Sequence, residues 1–353
     1  MDQVPEQLPD WAPEGVDLTR ASAARMYDYY LGGAHNFAVD REIAAQTLVL
    51  FPDGQMNAQA NRAFLHRAVK YLLSQGVRQF IDIGSGIPTA GNVHEIVQAE
   101  DPQARVLYVD HDPVAVAHSE LILGDNPHVK VLQADLRRPK DILDAPVVAE
   151  LFDLNQPIGV LMIAVLHFVS DEEGPLDVLA QFRDRVSSGS YLVISSGTDE
   201  VRSDEMTKLK ELYRDTKIPI TYRSRRQIRD LYEGWTIIEP GVVLVPEWRP
   251  DWPDEVGSNP LNTRSPEPSG GNRDRGSDPP AGHAAGRSGA VDHPDPDRCR
   301  GRRDGNVRLG MVRQLSGTSW VAADRTVLAD RLRDLTKLMV QALVAEPFEA
   351  SAG

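Results

Sequence analysis

The residues with the most chemistry in them stand where short apolar runs stop. FIDIGSGIP puts Asp82 two positions before Gly84, with Ser85 and Gly86 following, and VLYVD closes on Asp110, 28 residues further along. VLQAD closes on Ala134 and Asp135, and LMIAVLH on His167. Gly84 and Gly86 let the backbone approach a ligand, and the helix start behind them can hold a carboxylate. An acidic group two positions ahead of the first glycine would repel a pyrophosphate and would suit an ammonium. A dinucleotide fingerprint also asks for a third glycine where Thr89 stands. These residues therefore describe a zwitterionic ligand without phosphates. Asp110 can accept both hydroxyl protons of a ribose, and Asp135 is placed to receive an adenine amino group. Asp112, ahead of Pro113, reads as the cap of the next helix. His167 falls where a second molecule would meet the ligand and is a candidate base, although histidines that end apolar strands more often pack or bond to backbone. The histidines are scattered, with no HxxxH and no paired Asp/His cluster, so no metal site is expected.

Holding these groups requires a particular set of elements. RQFIDIG (78–84), ARVLYVD (104–110), HVKVLQAD (128–135), IGVLMIAVL (158–166) and SYLVISS (190–196) are near-continuous apolar runs, as strands buried on both faces must be. Helical patterns precede and separate them: 57–74 capped by Asn57 and stopped by Gly76, then 92–99, 113–123, 147–152 and 175–186. The alternation predicts an α/β fold, a doubly wound and mostly parallel Rossmann-like sheet that binds ligands at the carboxyl ends of its strands. Ser224 and Gln227 form a capping box, and TIIE and GVVLV read as a late strand pair. Upstream, Ser22 to Tyr30 reads as a helix stopped by Leu31, Gly32 and Gly33, with Asn36 capping a second helix to about Leu50. Laid across the carboxyl edge of the sheet, this pair would act as a lid. Tyr27, Tyr30, His35, Asn36 and Asp40 would then wall the site, with His35 as a second candidate base.

Composition sets the outer limits. The 353 residues carry 38 Lys and Arg against 52 Asp and Glu, a formal charge of -14, which disfavours a phosphate-backbone binder. No run approaches the roughly 20 apolar residues that span a bilayer. The acidic, proline-containing start lacks the pattern of a signal peptide, and Cys299, the single cysteine, excludes a disulfide framework. A soluble, cytoplasmic protein without nucleic-acid or membrane partners is expected. Near Gly257 the composition shifts: residues 257–296 hold 7 Gly and 7 Pro with few large aliphatics, too little to offset backbone entropy. The expected organisation is a helical cap (1–56), a ligand-binding domain complete by about residue 256 (57–256), a disordered linker (257–320) and a C-terminal amphipathic helix (321–353). That helix rests on the stripe Leu328, Leu332, Leu335, Met339 and Leu343. The stripe leaves a homodimer open as a partner arrangement.

The ensemble resembles the class I S-adenosylmethionine-dependent methyltransferases. More narrowly it is similar to an actinobacterial S-adenosyl methyltransferase family long catalogued as a domain of unknown function. The carriers are ARMYDYYLGGAHNFAVDRE (24–42), FIDIGSGIPTAGNVHEI (80–96), VLYVDHDPVAVAHS (106–119), QADLRRP (133–139) and IAVLHFVSDEEGP (163–175), in order over residues 15–250. The resemblance implies S-adenosyl-L-methionine as cofactor, a helical N-terminal cap and an unidentified, small-molecule acceptor. It implies cofactor contacts at Asp82, Gly84, Ser85, Gly86, Asp110, His111, Asp135, Leu136 and Ala164. Members usually close with a last strand soon after WRP. Here Trp248, Arg249 and Pro250 lead into the Gly/Pro-rich tail, which leaves the seventh strand unassigned. The competing classes are a cofactor-binding regulatory or scaffold protein without turnover and a nicotinamide-dependent oxidoreductase, the latter disfavoured by Asp82 and Thr89.

Overall fold

Strands form where apolar runs can be covered on both faces, and the three helices ahead of the first run supply part of that cover. A computed structural model describes residues 12–13, 16–88, 91–200, 202–216, 218–250 and 341–347. Helices α1 (Ala23–Tyr30), α2 (Ala38–Leu50) and α3 (Gly54–Ser74) come first. There follow β1 (Gln79–Ile83), α4 (Val93–Glu100), β2 (Arg105–Asp110), α5 (Pro113–Leu123), β3 (Val129–Gln133), α6 (Pro139–Leu143) and α7 (Pro146–Leu151). Next come β4 (Ile158–Ile163), α8 (Pro175–Arg185), β5 (Tyr191–Ser196), α9 (Ser203–Asp215) and α10 (Arg225–Asp230). Three strands complete the set: β6 (Trp235–Ile237), β7 (Val243–Leu244) and β8 (Gln341–Pro347).

The sheet order is β3-β2-β1-β4-β5-β8-β6, with β7 also paired to β8. Strands β1 to β5 are mutually parallel, and β8 runs antiparallel to β5, β6 and β7. Every residue of β1 and β5 is buried, which is why those runs show no polar alternation. Phe80, Val106, Leu161 and Val193 face α3 and α4 through Phe64, Leu65, Leu72 and Val97. Ile81, Leu107, Val160 and Ile194 face the opposite layer, where Val148 of α7, Leu179 and Phe182 of α8 and Ile228 of α10 pack. The chain leaves β1 toward β2 and β3 and later returns on the other side as β4, so a crevice opens at the carboxyl ends of β1 and β4.

Four expectations change. Helix α3 starts a turn early, capped at Asp53, and Asn57 lies inside it with its amide on the Asp53 carbonyl (3.1 Å). The cap of α2 is Phe37 rather than Asn36, its N–H donating to the Asp40 carboxylate at 2.8 Å. Strand β4 stops at Ile163 because Ala164 takes φ 55° and a 3-10 turn follows at Leu166–Phe168. The largest change is at the C-terminal end: Gln341–Pro347 is a strand inside the sheet, not the end of an amphipathic helix. Over so few residues an apolar run fits either period, and the open edge of β5 decides for a strand. The sheet is therefore not complete at residue 256. The linker 257–320 and residues 321–340, on which the remaining helix stripe and the homodimer reading rest, lie outside the described residues. No helix among the described residues is long and apolar enough to cross a membrane.

Candidate functional site

The loop after β1 is shaped by two glycines with φ 68°. A Cβ on Gly84 would collide with the Val165 side chain, whereas one on Gly86 would meet nothing within 4 Å. Gly84 thus lets the loop close on the β4 end, and Gly86 faces open space. The loop is tied to β2: the N–H groups of Gly84 and Ser85 donate to the Val109 carbonyl (2.8 and 3.2 Å). Gly86 N–H donates to Asp110 Oδ2 (2.8 Å), and Asp112 N–H donates to Asp110 Oδ1 (2.9 Å). Asp110 is buried, which pushes its pKa up against those two amides. Its carboxylate is fixed in orientation, and each oxygen keeps a lone pair for a ligand. Asp112 caps α5 through Val114 N–H (2.8 Å), as read from the sequence.

Asp82 differs. It is 5% exposed, and no hydrogen bond reaches its carboxylate from the described residues; burial pushes its pKa up to about 7, opposed by the Arg62 guanidinium and reinforced by Asp110. A buried carboxylate without a partner is costly, and a cation delivered by a ligand would relieve that cost. The helix start behind the loop, expected to hold the ligand's carboxylate, holds the chain's own instead. Gly91 and Asn92 N–H donate to Glu95 Oε2 (2.7 and 2.8 Å). Arg62, which the sequence reading missed, lines the same cleft and donates to the Gly91 carbonyl (3.0 Å). Among the described residues it is the only Lys or Arg in the lining.

The cleft holds about 1350 Å³ of empty space, counting its solvent-open part. Of the expected residues it brings together Tyr27, Tyr30, Asp82, Gly84, Ser85, Gly86, Asp110, His111, Ala164 and His167. His35, Asn36, Asp40, Asp135 and Leu136 do not line it. Asp40 is fully buried inside the lid, accepting from Arg25 Nε (2.8 Å) and Ser22 N–H (2.9 Å). Asn36 donates to Asp28 Oδ2 (2.8 Å) and His35 to the same oxygen through its backbone N–H (2.9 Å), while the His35 ring packs on His118. These three residues hold the N-terminal helical segment together and do not line the cleft. Asp135 is held by Arg137 (2.9 and 2.6 Å), and Leu136 sits in the core.

A polar chain joins the sheet to the lid. Ala164 N–H donates to Ser195 Oγ (2.9 Å), which donates to Asn61 Oδ1 (2.7 Å). Asn61 Nδ2 in turn donates to Tyr27 Oη (3.0 Å), and Tyr27 donates to the Ala58 carbonyl (3.1 Å). His167 is buried, its pKa lowered to about 4 by burial and by Arg223. Its Nδ1 accepts from Gly197 N–H (3.4 Å), an assignment that leaves the proton on Nε2. At neutral pH it is an uncharged, weak base, which argues against the role of general base expected of it.

The pKa of Asp82 carries a pH prediction. A ligand ammonium should bind less tightly as pH falls below 7, approaching tenfold per pH unit, because protonation removes the attracting charge. Folding responds with the opposite sign. A carboxyl raised from about 3.9 in the unfolded chain to about 7 in the fold favours the fold below pH 4, and that contribution is lost as pH rises through 7. Calorimetry at pH 6, 7 and 8 checks this; a flat affinity would place the ammonium elsewhere.

Sheet order, glycine loop and acidic strand ends are those of a Rossmann-like ligand-binding fold, and the family match makes it an S-adenosylmethionine-dependent methyltransferase. The chain belongs to the family described as S-adenosyl methyltransferase, whose model matches residues 9–270. It is similar to the crystal structure of a DUF574 family protein from Streptomyces avermitilis, with 36% identity over 67% of this chain and 91% of that one, at a TM-score of 0.65. It is likewise similar to a structure from Thermobifida fusca solved as a candidate methyltransferase, with 36% identity over 69% of this chain and 91% of the other, at a TM-score of 0.66. No curated protein matches the chain.

Proposed function

We propose that this chain methylates a small-molecule acceptor held beside the β4 end of the cleft, with the following residues holding the donor. Asp82 accepts from the donor's ammonium, Arg62 faces its carboxylate, and the Gly84–Gly86 loop lies along its chain. Asp110 takes the ribose hydroxyls, with His111 beside it, and the Ala164 backbone borders the reacting end. Asp135 and Leu136 lie off the cleft, and we assign neither to the donor. When bound, S-adenosylmethionine supplies an electrophilic methyl on a positively charged sulfur. The chain's contribution is alignment and exclusion of water; a weak, neutral His167 suits a displacement that needs no strong base. The observation that carries this reading is the buried Asp82 carboxylate without a hydrogen bond from the described residues, beside open space at Gly86.

Calorimetry tests it. S-adenosylmethionine and S-adenosylhomocysteine are expected to bind and NADH to give no heat, and Asp82→Asn should weaken both sulfur nucleosides at least about tenfold, equivalent to 1.4 kcal/mol. Tight NADH binding with no heat from either nucleoside would overturn the assignment.

A further inference from the structure

The cleft is divided by charge. Its lining carboxylates, Asp82 and Asp110, its one lining Arg among the described residues, Arg62, and His111 gather at the β1 and β2 ends. Across the sheet, past β4, the lining passes to Met26, Phe51, Phe168, Met206, Leu209 and Ile220. Except for Phe168 these are nearly inaccessible to solvent, and with Tyr213 they form one apolar cluster between the lid and α9. Among the described residues no carboxylate, Lys or Arg lines that half, and its histidine, His167, is held uncharged by burial. An ionised acceptor entering it would lose its hydration and meet no opposite charge on the side chains of that half. Two methionine sulfurs and aromatic faces suit an aromatic body.

Besides His167, this half offers hydroxyls. Thr47 donates to the Ile43 carbonyl (3.0 Å) and lies 3.3 Å from Tyr213 Oη, which lies 3.2 Å from Tyr30 Oη. Each hydroxyl has one hydrogen. Assigning the single Thr47 hydrogen to the Ile43 carbonyl, the shorter of its two contacts, sends the Tyr213 hydrogen to Thr47 and the Tyr30 hydrogen to Tyr213. Tyr30 then presents oxygen lone pairs at the cleft end of the chain. Burial pushes both phenols further from ionising, so they stay neutral partners.

We infer that the acceptor is an uncharged aromatic molecule bearing a hydroxyl, seated between lid and α9 with that hydroxyl donating to Tyr30. This rests on the methyl-transfer reading above and narrows it. The enclosed lining favours a free small molecule over a side chain presented by a macromolecule.

The probes are 4-phenylphenol, 4-phenylbenzoate and 4-methoxybiphenyl, titrated by calorimetry into the full chain saturated with S-adenosylhomocysteine. 4-Phenylphenol should bind at least tenfold more tightly than either of the others. Tyr30→Phe should abolish its advantage over 4-methoxybiphenyl and preserve the rejection of 4-phenylbenzoate. The inference is overturned if 4-phenylbenzoate binds as well as the phenol, if Tyr30→Phe leaves the phenol's advantage intact, or if none of the three binds. Failure of S-adenosylhomocysteine itself to bind would instead overturn the methyl-transfer reading, so the two failures are distinguishable.

Discussion

A chain ending at residue 340 should lose its cooperative melt and its affinity for S-adenosylhomocysteine together. Strand β8 pairs with five residues of β5, three of β6 and two of β7. Without it β5, buried along its whole length, becomes an edge, and β6 and β7 lose the strand that attaches them to the sheet. Each backbone bond is worth about 0.5–1.5 kcal/mol net, so the loss is comparable with the whole 5–15 kcal/mol that holds an ordinary domain. A bare apolar edge also invites aggregation. Circular dichroism melts and calorimetry on the full and shortened chains check this. An unchanged melt with intact binding would show that β8 is dispensable.

Asp110→Ala should be the most damaging single substitution in the donor site. It removes the acceptor for Gly86 and Asp112 N–H, so the loop loses its side-chain tie to β2, keeping only the two backbone bonds to Val109, while the ribose loses its partner. A hydrogen bond to a charged group is worth about 1.5–3 kcal/mol, and two such losses predict at least about a hundredfold weaker S-adenosylhomocysteine binding. The two effects separate with a 2′,3′-dideoxy analogue. The wild-type chain should prefer the natural ligand, and the variant should bind both alike. Equal affinity of wild type and variant for S-adenosylhomocysteine would move the ribose site away from β2.

Much of this was legible in the residues because strand ends and capping residues speak locally. The five parallel strands fall within a few residues of their apolar runs, and Asp82, Gly84, Gly86 and Asp110 meet because parallel strands must deliver their carboxyl ends to one edge. Three things were not local. Arg62 and Asn61 sit on the polar side of an amphipathic helix, where a side chain facing a cleft looks the same as one facing water. Helix α9 is rich in charge, and its Met206, Leu209 and Tyr213 are too sparse a stripe to stand out. Asp40 and Asn36 read as site residues because polar groups in a lid suggest contact. In the fold they satisfy backbone and ion-pair partners within it, and Arg25, Asp40 and Asp112 join in a buried cluster (2.8 and 3.7 Å) that fastens α1 to the start of α5.

The placement of β8 also has a consequence in time. Its partner β7 ends at Leu244, so 96 residues separate two strands that lie side by side. Closing so long a connection instead of a ten-residue one adds only about 2 kcal/mol of entropy, but synthesis at about 5–20 residues per second delays β8 by roughly 5 to 20 seconds after β7. Throughout that interval the nascent chain carries an unfinished sheet with the β5 edge uncovered. Its yield in a cell is therefore set in part by whatever shields that edge during translation, a vulnerability that a relative with an adjacent last strand does not share.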